Sequence, residues 1–234
     1  MITYRQTIQV AGIRSLDEAR MLLAAGVDVL GFPLRLDVHT QDMSEGETAE
    51  VVQALGTPEK CLVITYEEDP EEVARLCRLC GAGGVQLHGN ISVGNVARLV
   101  VVAPDLTLVK SLVVGRSSQE ELLKRMHAFA PHVHAFITDT FDPATGASGA
   151  TGRTHDWSVD HSLVKASPRP VILAGGLTPG NVARAVTVVR PAGVDAHTGL
   201  EDPWGWKDPD MIRSFVSSAR QAFAALSSSD QLRQ

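Results

Sequence analysis

The chain has 234 residues, a hydrophobic fraction of 44% and a formal charge of −6 at pH 7. Acidic and basic residues are interspersed, which excludes a basic stripe for nucleic acid and a cationic helix for a membrane surface. No apolar run approaches the roughly 20 residues of a membrane span, and the N-terminal residues do not resemble a signal peptide. Three cysteines, an odd number, do not form a disulfide framework. We therefore expect one large domain, residues 1–234, in the cytoplasm.

Apolar runs and helical patterns alternate along the chain. The apolar runs are continuous, which is typical of parallel strands that are covered on both faces. The predicted strands span residues 7–11, 27–34, 60–66, 85–89, 106–114, 134–139, 171–174 and 193–196. Helical patterns follow the strands, the seventh from Thr178-Pro179 and the last over 209–226, and the polar residues 227–234 are expected to form a frayed tail. Eight alternating units predict an α/β fold, a single (β/α)8 TIM barrel.

The last two predicted strands each end in a glycine-containing turn. Gly175 and Gly176 follow the seventh strand, and Thr198 and Gly199 follow the eighth. Such turns present backbone N–H groups that can hold a phosphate. In (β/α)8 barrels a phosphate site frequently lies after strands seven and eight. The sequence therefore predicts a phosphorylated small-molecule ligand at this end of the barrel.

Five motifs follow one another along the chain: residues 85–89, Asp139 at the end of strand six, and residues 149–157, 173–182 and 194–201. In order and spacing they resemble phosphoribosylanthranilate isomerases along nearly the whole chain. The resemblance implies an enzyme of tryptophan biosynthesis that performs an Amadori rearrangement on a phosphorylated aminofuranose without a cofactor or metal. It also implies that the turns after strands six, seven and eight bind the substrate phosphate through Gly149, Thr151, Gly152, Gly175, Gly176, Thr198 and Gly199.

The rearrangement needs a general acid for the ring oxygen and a general base for the proton on the adjacent sugar carbon. The family's acid is an aspartate at the end of strand six, which corresponds to Asp139, and His88 in the fourth-strand motif is a second catalytic candidate. The family's base is a cysteine in a Lys-Ile-Cys-Gly motif at the end of strand one. Here the motif reads Gln-Val-Ala-Gly, and Ala11 stands in place of the base. Candidate replacement bases at strand ends are His88, His39, Tyr66, Glu67 and His197.

The loop after strand two also departs from the family pattern. The family carries an arginine there that meets the carboxylate of the anthranilate ring, and Arg35 is expected to substitute from a shifted position. We place His39, Asp195 and His197 in the same substrate pocket. For Asp195 a hydrogen-bonded interior carboxylate is the alternative.

These features favour a sugar-phosphate isomerase similar to phosphoribosylanthranilate isomerase. Two alternatives stay open: a lyase or epimerase that acts on another phosphorylated ligand, and a catalytically silent barrel that binds a phosphorylated metabolite. The scattered histidines lack the spacing of metal ligands, so no metal is expected. Barrels of this type occur as monomers and dimers, so either a monomer or a homodimer is expected.

Overall fold

The computed structural model describes residues 2–36, 41–140 and 156–231. Eight parallel strands close into one barrel in the order β1 to β8, which confirms the predicted TIM barrel. The strands are β1 Thr7–Ala11, β2 Val29–Pro33, β3 Cys61–Thr65, β4 Gly84–Leu87, β5 Thr107–Val114, β6 Ala135–Thr140, β7 Val171–Leu173 and β8 Gly193–Ala196. The helices are α1 Leu16–Ala24, α2 Glu45–Leu55, α3 Pro70–Cys80, α4 Val93–Val102, α5 Gln119–Phe129, α6 Trp157–Ala166, α7 Val182–Val189 and α8 Pro209–Gln231, with 3₁₀ helices at Pro58–Lys60 and Thr198–Leu200.

Short polar side chains fix where the helices begin. The Ser15 hydroxyl accepts a hydrogen bond from the backbone N–H of Glu18 at the start of α1. Ser44 and Ser118 form reciprocal capping boxes with the glutamates three residues later. Each box satisfies backbone N–H groups that the first helical turn leaves without a partner. These caps define the length of each loop between a strand and its helix.

The barrel closes through parallel pairing of β1 with both β2 and β8. Gln9 pairs in register with Asp195, and Ala11 pairs with Gly31. Side chains that alternate along a strand point to opposite faces of the sheet. Gln9 and Ala11 therefore point into the barrel, while Ile8 and Val10 pack into the apolar layer between the barrel and its helices.

Most strand ends differ from the prediction by one or two residues, and three differences have a clear structural meaning. β2 begins at Val29, because the N–H of Val27 still bonds the Leu22 carbonyl and completes the end of α1. α7 begins at Val182 rather than at Thr178, because the Asn181 side chain bonds the Thr178 N–H and the Gly176 carbonyl and holds these residues in a turn. α8 continues to Gln231, five residues beyond its predicted end at 226. In the part of the chain described above, none of the helices combines the length and apolar character needed to cross a membrane.

Candidate active site

A pocket opens at the carboxyl ends of the strands, the end at which barrels of this fold hold their ligands. The predicted site residues that line it are Asp139, His88, Gly175, Gly176, Thr198, Gly199, Asp195 and His197. Ala11, Gln86 and Tyr66 also line it. Four other predicted site residues, His39, Gly149, Thr151 and Gly152, lie outside the described residues. The pocket thus gathers side chains from strands that are far apart in the sequence.

Asp139 and His88 form the central pair of the pocket. Asp139 lies near the end of β6 and His88 directly follows β4, and the Asp139 Oδ2 to His88 Nε2 distance is 2.5 Å. The other carboxylate oxygen of Asp139 accepts the backbone N–H of Thr140 at 2.8 Å. Both side chains are largely buried, with exposed fractions of 7% and 8%. A short hydrogen bond in such surroundings can hold a proton within reach of a bound ligand.

Two glutamines connect this pair to the first strand. Gln9 Nε2 donates to Gln86 Oε1 at 2.8 Å, and Gln86 Nε2 lies 3.3 Å from His88 Nδ1. Hydrogen bonds at both ring nitrogens, with Gln86 at Nδ1 and with Asp139 at Nε2, hold the imidazole in one orientation and one tautomer. The bond between the glutamines crosses the barrel interior, since β1 and β4 are not neighbours. It fixes the tautomer of the histidine that contacts Asp139.

Asp195 occupies the floor of the pocket on β8. Its side chain is buried, and its Oδ1 has no hydrogen-bond partner among the residues that the structure describes. Burial, and then the charge of Asp139, raise the pKa of Asp195 to about 7. Asp195 lines the pocket, and a substrate-pocket role and a hydrogen-bonded interior carboxylate both stay predictions for it.

His197 stands at the end of β8, beside the first strand. Its Nε2 lies 3.2 Å from Glu201 Oε1, and the same oxygen lies 2.6 Å from Lys207 Nζ. A Cβ placed on Gly12 would come within 2.0 Å of the His197 ring, so the imidazole packs directly on the end of β1. Burial opposes ionisation of Glu201, but the contacts with His197 and Lys207 outweigh it and lower the pKa of Glu201 to about 2. His197 is therefore backed by a permanently ionised carboxylate at neutral pH.

The two glycine turns require their glycines. Gly175 and Gly176 have φ values of 98° and 62°, in the left-handed region that favours glycine. A Cβ on Gly199 would lie 2.1 Å from the Leu177 carbonyl oxygen, so the backbones of the turns after β7 and β8 touch. This contact places the two turns side by side at the pocket.

Arg35 does not line the pocket, where the sequence analysis placed it. Its guanidinium lies 2.8 Å from Glu45, 3.2 Å from Glu67 and 3.1 Å from Glu72, and Arg35 is absent from the pocket lining. The hydrogen bond that Arg35 donates to Glu45 is the main cause that raises the pKa of Arg35. Three carboxylates satisfy this cation because α2 and α3 both begin beside it. Glu67, a candidate base, is one of these partners.

Sequence reasoning missed Gln9, Gln86, Glu201 and Lys207 as functional neighbours of the predicted residues. The inward position of Gln9, two residues before Ala11, was the available signal for the first of them. In the described ranges, no group of three or more His, Cys, Asp or Glu side chains is arranged to hold a metal ion.

The chain is similar to a set of known proteins along nearly its whole length. A family model described as N-(5'phosphoribosyl)anthranilate (PRA) isomerase matches residues 8–218. The N-(5'-phosphoribosyl)anthranilate isomerase of Desulforudis audaxviator is 40% identical over 225 residues, which cover 92% of this chain and 98% of that protein. N-(5'-phosphoribosyl)anthranilate isomerase 2 of Methanosarcina mazei is 36% identical over 218 residues, covering 92% of this chain and 95% of that protein.

A crystal structure of phosphoribosyl anthranilate isomerase from Thermotoga maritima superimposes with a TM-score of 0.76 at 27% identity, covering 92% of this chain and 98% of that one. The family match begins in β1 and ends in α8, so it includes every strand that contributes to the pocket. The chain belongs to the N-(5'-phosphoribosyl)anthranilate isomerase family.

Proposed function

We propose that this protein is a phosphoribosylanthranilate isomerase of tryptophan biosynthesis. It converts the phosphorylated aminofuranose into the open-chain aminoketose by an Amadori rearrangement. The observation that carries the proposal is the buried Asp139–His88 pair in a pocket whose rim contains two touching glycine turns. The pair supplies a proton donor, and the turns supply the donors for a phosphate.

The first chemical step is opening of the sugar ring. Asp139 donates a proton to the ring oxygen, the C1–O bond breaks, and the nitrogen lone pair forms the C1=N bond of an iminium ion. His88 touches Asp139 through Nε2 and holds the carboxyl group in one orientation. A general acid in such a position contributes about 10²- to 10⁴-fold in rate.

The phosphate end of the substrate binds at the glycine turns. Gly175, Gly176, Thr198 and Gly199 line the pocket together, which supports a shared phosphate site. From the resemblance we assign Gly149, Thr151 and Gly152 to the same site. No cofactor takes part, since both proton transfers use side chains of the chain itself.

The aromatic end of the substrate lies toward β2. Pro33, Leu36 and Tyr66 line this side of the pocket and offer apolar surface to the anthranilate ring. Arg35 is bound to three glutamates, so we propose His39, in the same loop, for the ring carboxylate. The protein works in the cytoplasm, in keeping with three cysteines that are all free thiols. It acts as a monomer or a homodimer.

Turnover of freshly prepared phosphoribosylanthranilate tests the proposal. Loss of anthranilate fluorescence is followed with the purified protein and with Asp139→Asn. We expect turnover by the wild type and a decrease of about 10²-fold or more in the variant. A folded wild-type protein without turnover would refute the function, and an active Asp139→Asn would refute the assignment of the acid.

A further inference from the structure

The isomerisation needs a proton acceptor as well as a donor. After ring opening, a base must remove the proton from C2 of the iminium ion. Ala11 ends β1 at the position of the family's cysteine and carries only a methyl group. Another side chain of the pocket must therefore accept this proton.

We propose that Asp195 is the general base that removes the C2 proton, an inference that rests on the isomerase function proposed above. The proton passes from C2 to Asp195, the C–H electron pair forms the C1=C2 bond, and the iminium electrons return to nitrogen. The enolamine becomes the ketone when C1 gains a proton and the 2-hydroxyl group loses its own. Solvent then returns a proton to Asp139 and takes one from Asp195.

The position of Asp195 supports this role. Asp195 pairs in register with Gln9, and the next inward residue of β1 is Ala11. Asp195 therefore lies one inward layer below Ala11, the residue that replaces the family's cysteine. Its side chain lines the pocket. Oδ1 is buried and lacks a hydrogen-bond partner among the described residues, although buried carboxylate oxygens are normally bonded. The Gln9 side chain lies close enough to lower the pKa of Asp195, and a ligand hydrogen is a further partner that the pocket can supply.

Three of the other candidates already make contacts within the protein. His88 uses both ring nitrogens, one toward Gln86 and one toward Asp139. His197 directs Nε2 to Glu201, and its ring packs on Gly12. Glu67 is paired with Arg35. Among the carboxylates that line the pocket, Asp195 is the one on the strand next to β1, in register with Gln9.

The surroundings of Asp195, including the charge of Asp139, increase its affinity for a proton. Burial and the charge of Asp139 raise the pKa of Asp195 to about 7, so Asp195 is a stronger base than a solvated carboxylate. The charge that Asp139 carries after it has given up its proton therefore favours proton uptake by Asp195.

Four variants test the assignment, each made alone and together with Ala11→Cys: Asp195→Asn, His197→Asn, Asp139→Asn, and Asp28→Asn as the control. Asp28 is an aspartate at the opposite end of the barrel, where it bonds the Ile8 N–H and Arg220. We expect Asp195→Asn to lower kcat by about 10²-fold or more. Adding Ala11→Cys to this variant should raise kcat by at least about tenfold over Asp195→Asn alone. Asp28→Asn should stay within about threefold of wild type, and Ala11→Cys should not rescue Asp139→Asn, because a base cannot replace an acid.

A chemical trap separates the two steps. Cyanoborohydride reduces the open-chain iminium ion, so trapped amine above the enzyme-free background reports ring opening. Asp195→Asn should still form this product, whereas Asp139→Asn should not. If a folded Asp195→Asn loses it as well, Asp195 is not the base. If Asp195→Asn is misfolded, Asp195→Ala takes its place, and a folded Asp195→Ala with wild-type turnover shows that Asp195 is not the base.

The outcomes distinguish the inference from the function on which it rests. Wild-type turnover with an unimpaired Asp195→Asn would overturn the assignment of the base and leave the isomerase function intact. Loss of turnover in His197→Asn that Ala11→Cys rescues, without such rescue in Asp195→Asn, would identify His197 as the base. Absence of turnover in the wild type would overturn both.

Discussion

Gln86 presents its side-chain amide to His88, with 3.3 Å between Gln86 Nε2 and His88 Nδ1. The other end of the same amide accepts a hydrogen bond from Gln9 at 2.8 Å. An amide that donates at one end and accepts at the other has a defined orientation. This orientation is transmitted to the imidazole, which contacts Asp139 through Nε2.

Replacement of Gln86 by leucine should therefore impair catalysis more than binding. Loss of one hydrogen bond of about 1 kcal/mol that orients a catalytic partner predicts a decrease in kcat of roughly fivefold to tenfold, with KM little changed. Steady-state kinetics measure both constants, and ¹⁵N NMR of the His88 ring reports the tautomer. Gln9→Leu should give a smaller effect in the same direction. An unchanged ring tautomer in Gln86→Leu would contradict this explanation.

The Gly199 position should be intolerant of any side chain. A Cβ there would lie 2.1 Å from the Leu177 carbonyl oxygen, so Gly199→Ala must separate the turns after β7 and β8. We expect inhibition by inorganic phosphate to weaken by about tenfold, which corresponds to the loss of one or two hydrogen bonds to a charged group. Gly180→Ala is the matched control, because its nearest atom would be the Thr178 hydroxyl oxygen at 3.8 Å. Equal phosphate inhibition in the two variants would argue against a phosphate site between these turns.

Arg35 should contribute to stability rather than to substrate binding. Its guanidinium joins Glu45, Glu67 and Glu72, and its side chain is 22% exposed. Arg35→Met leaves three carboxylates facing each other, and we expect the free energy of unfolding to fall by about 1–3 kcal/mol. Denaturant unfolding gives the stability, and KM gives the effect on substrate. A tenfold higher KM without loss of stability would show that Arg35 binds the substrate carboxylate instead.

Glu201 should make the protein less stable in acid. Its pKa is lowered from 4.5 to about 2 in the folded state, so its contribution is present above pH 4.5 and is lost as the pH falls toward 2. The expected loss is on the order of 3 kcal/mol across this window. Unfolding by urea at a series of pH values measures it, and Glu201→Gln should have a flatter dependence between pH 5 and about 2. An identical slope in wild type and variant would show that other carboxylates dominate.

The sequence predicted the eight strands because each is a buried apolar run that a glycine or polar loop ends. It also predicted that Asp139 and His88 would share one end of the barrel, since the carboxyl ends of parallel strands meet there. The partners of Arg35 were not predictable, because Glu45, Glu67 and Glu72 lie in α2, in the loop before α3 and in α3, and the relative placement of these segments depends on packing. The start of α7 was missed because Asn181 uses its side chain to stabilise a turn that resembles a helix start in the sequence.

The contact between His88 and Asp139 has a consequence for how the chain could be divided. The two glutamines and His88 belong to the first four strands, whereas Asp139, Asp195 and both glycine turns belong to the last four. A break between α4 and β5 would therefore produce two fragments, each with only one member of the catalytic pair. Enzyme activity regained on mixing such fragments would be a direct reporter of half-barrel complementation.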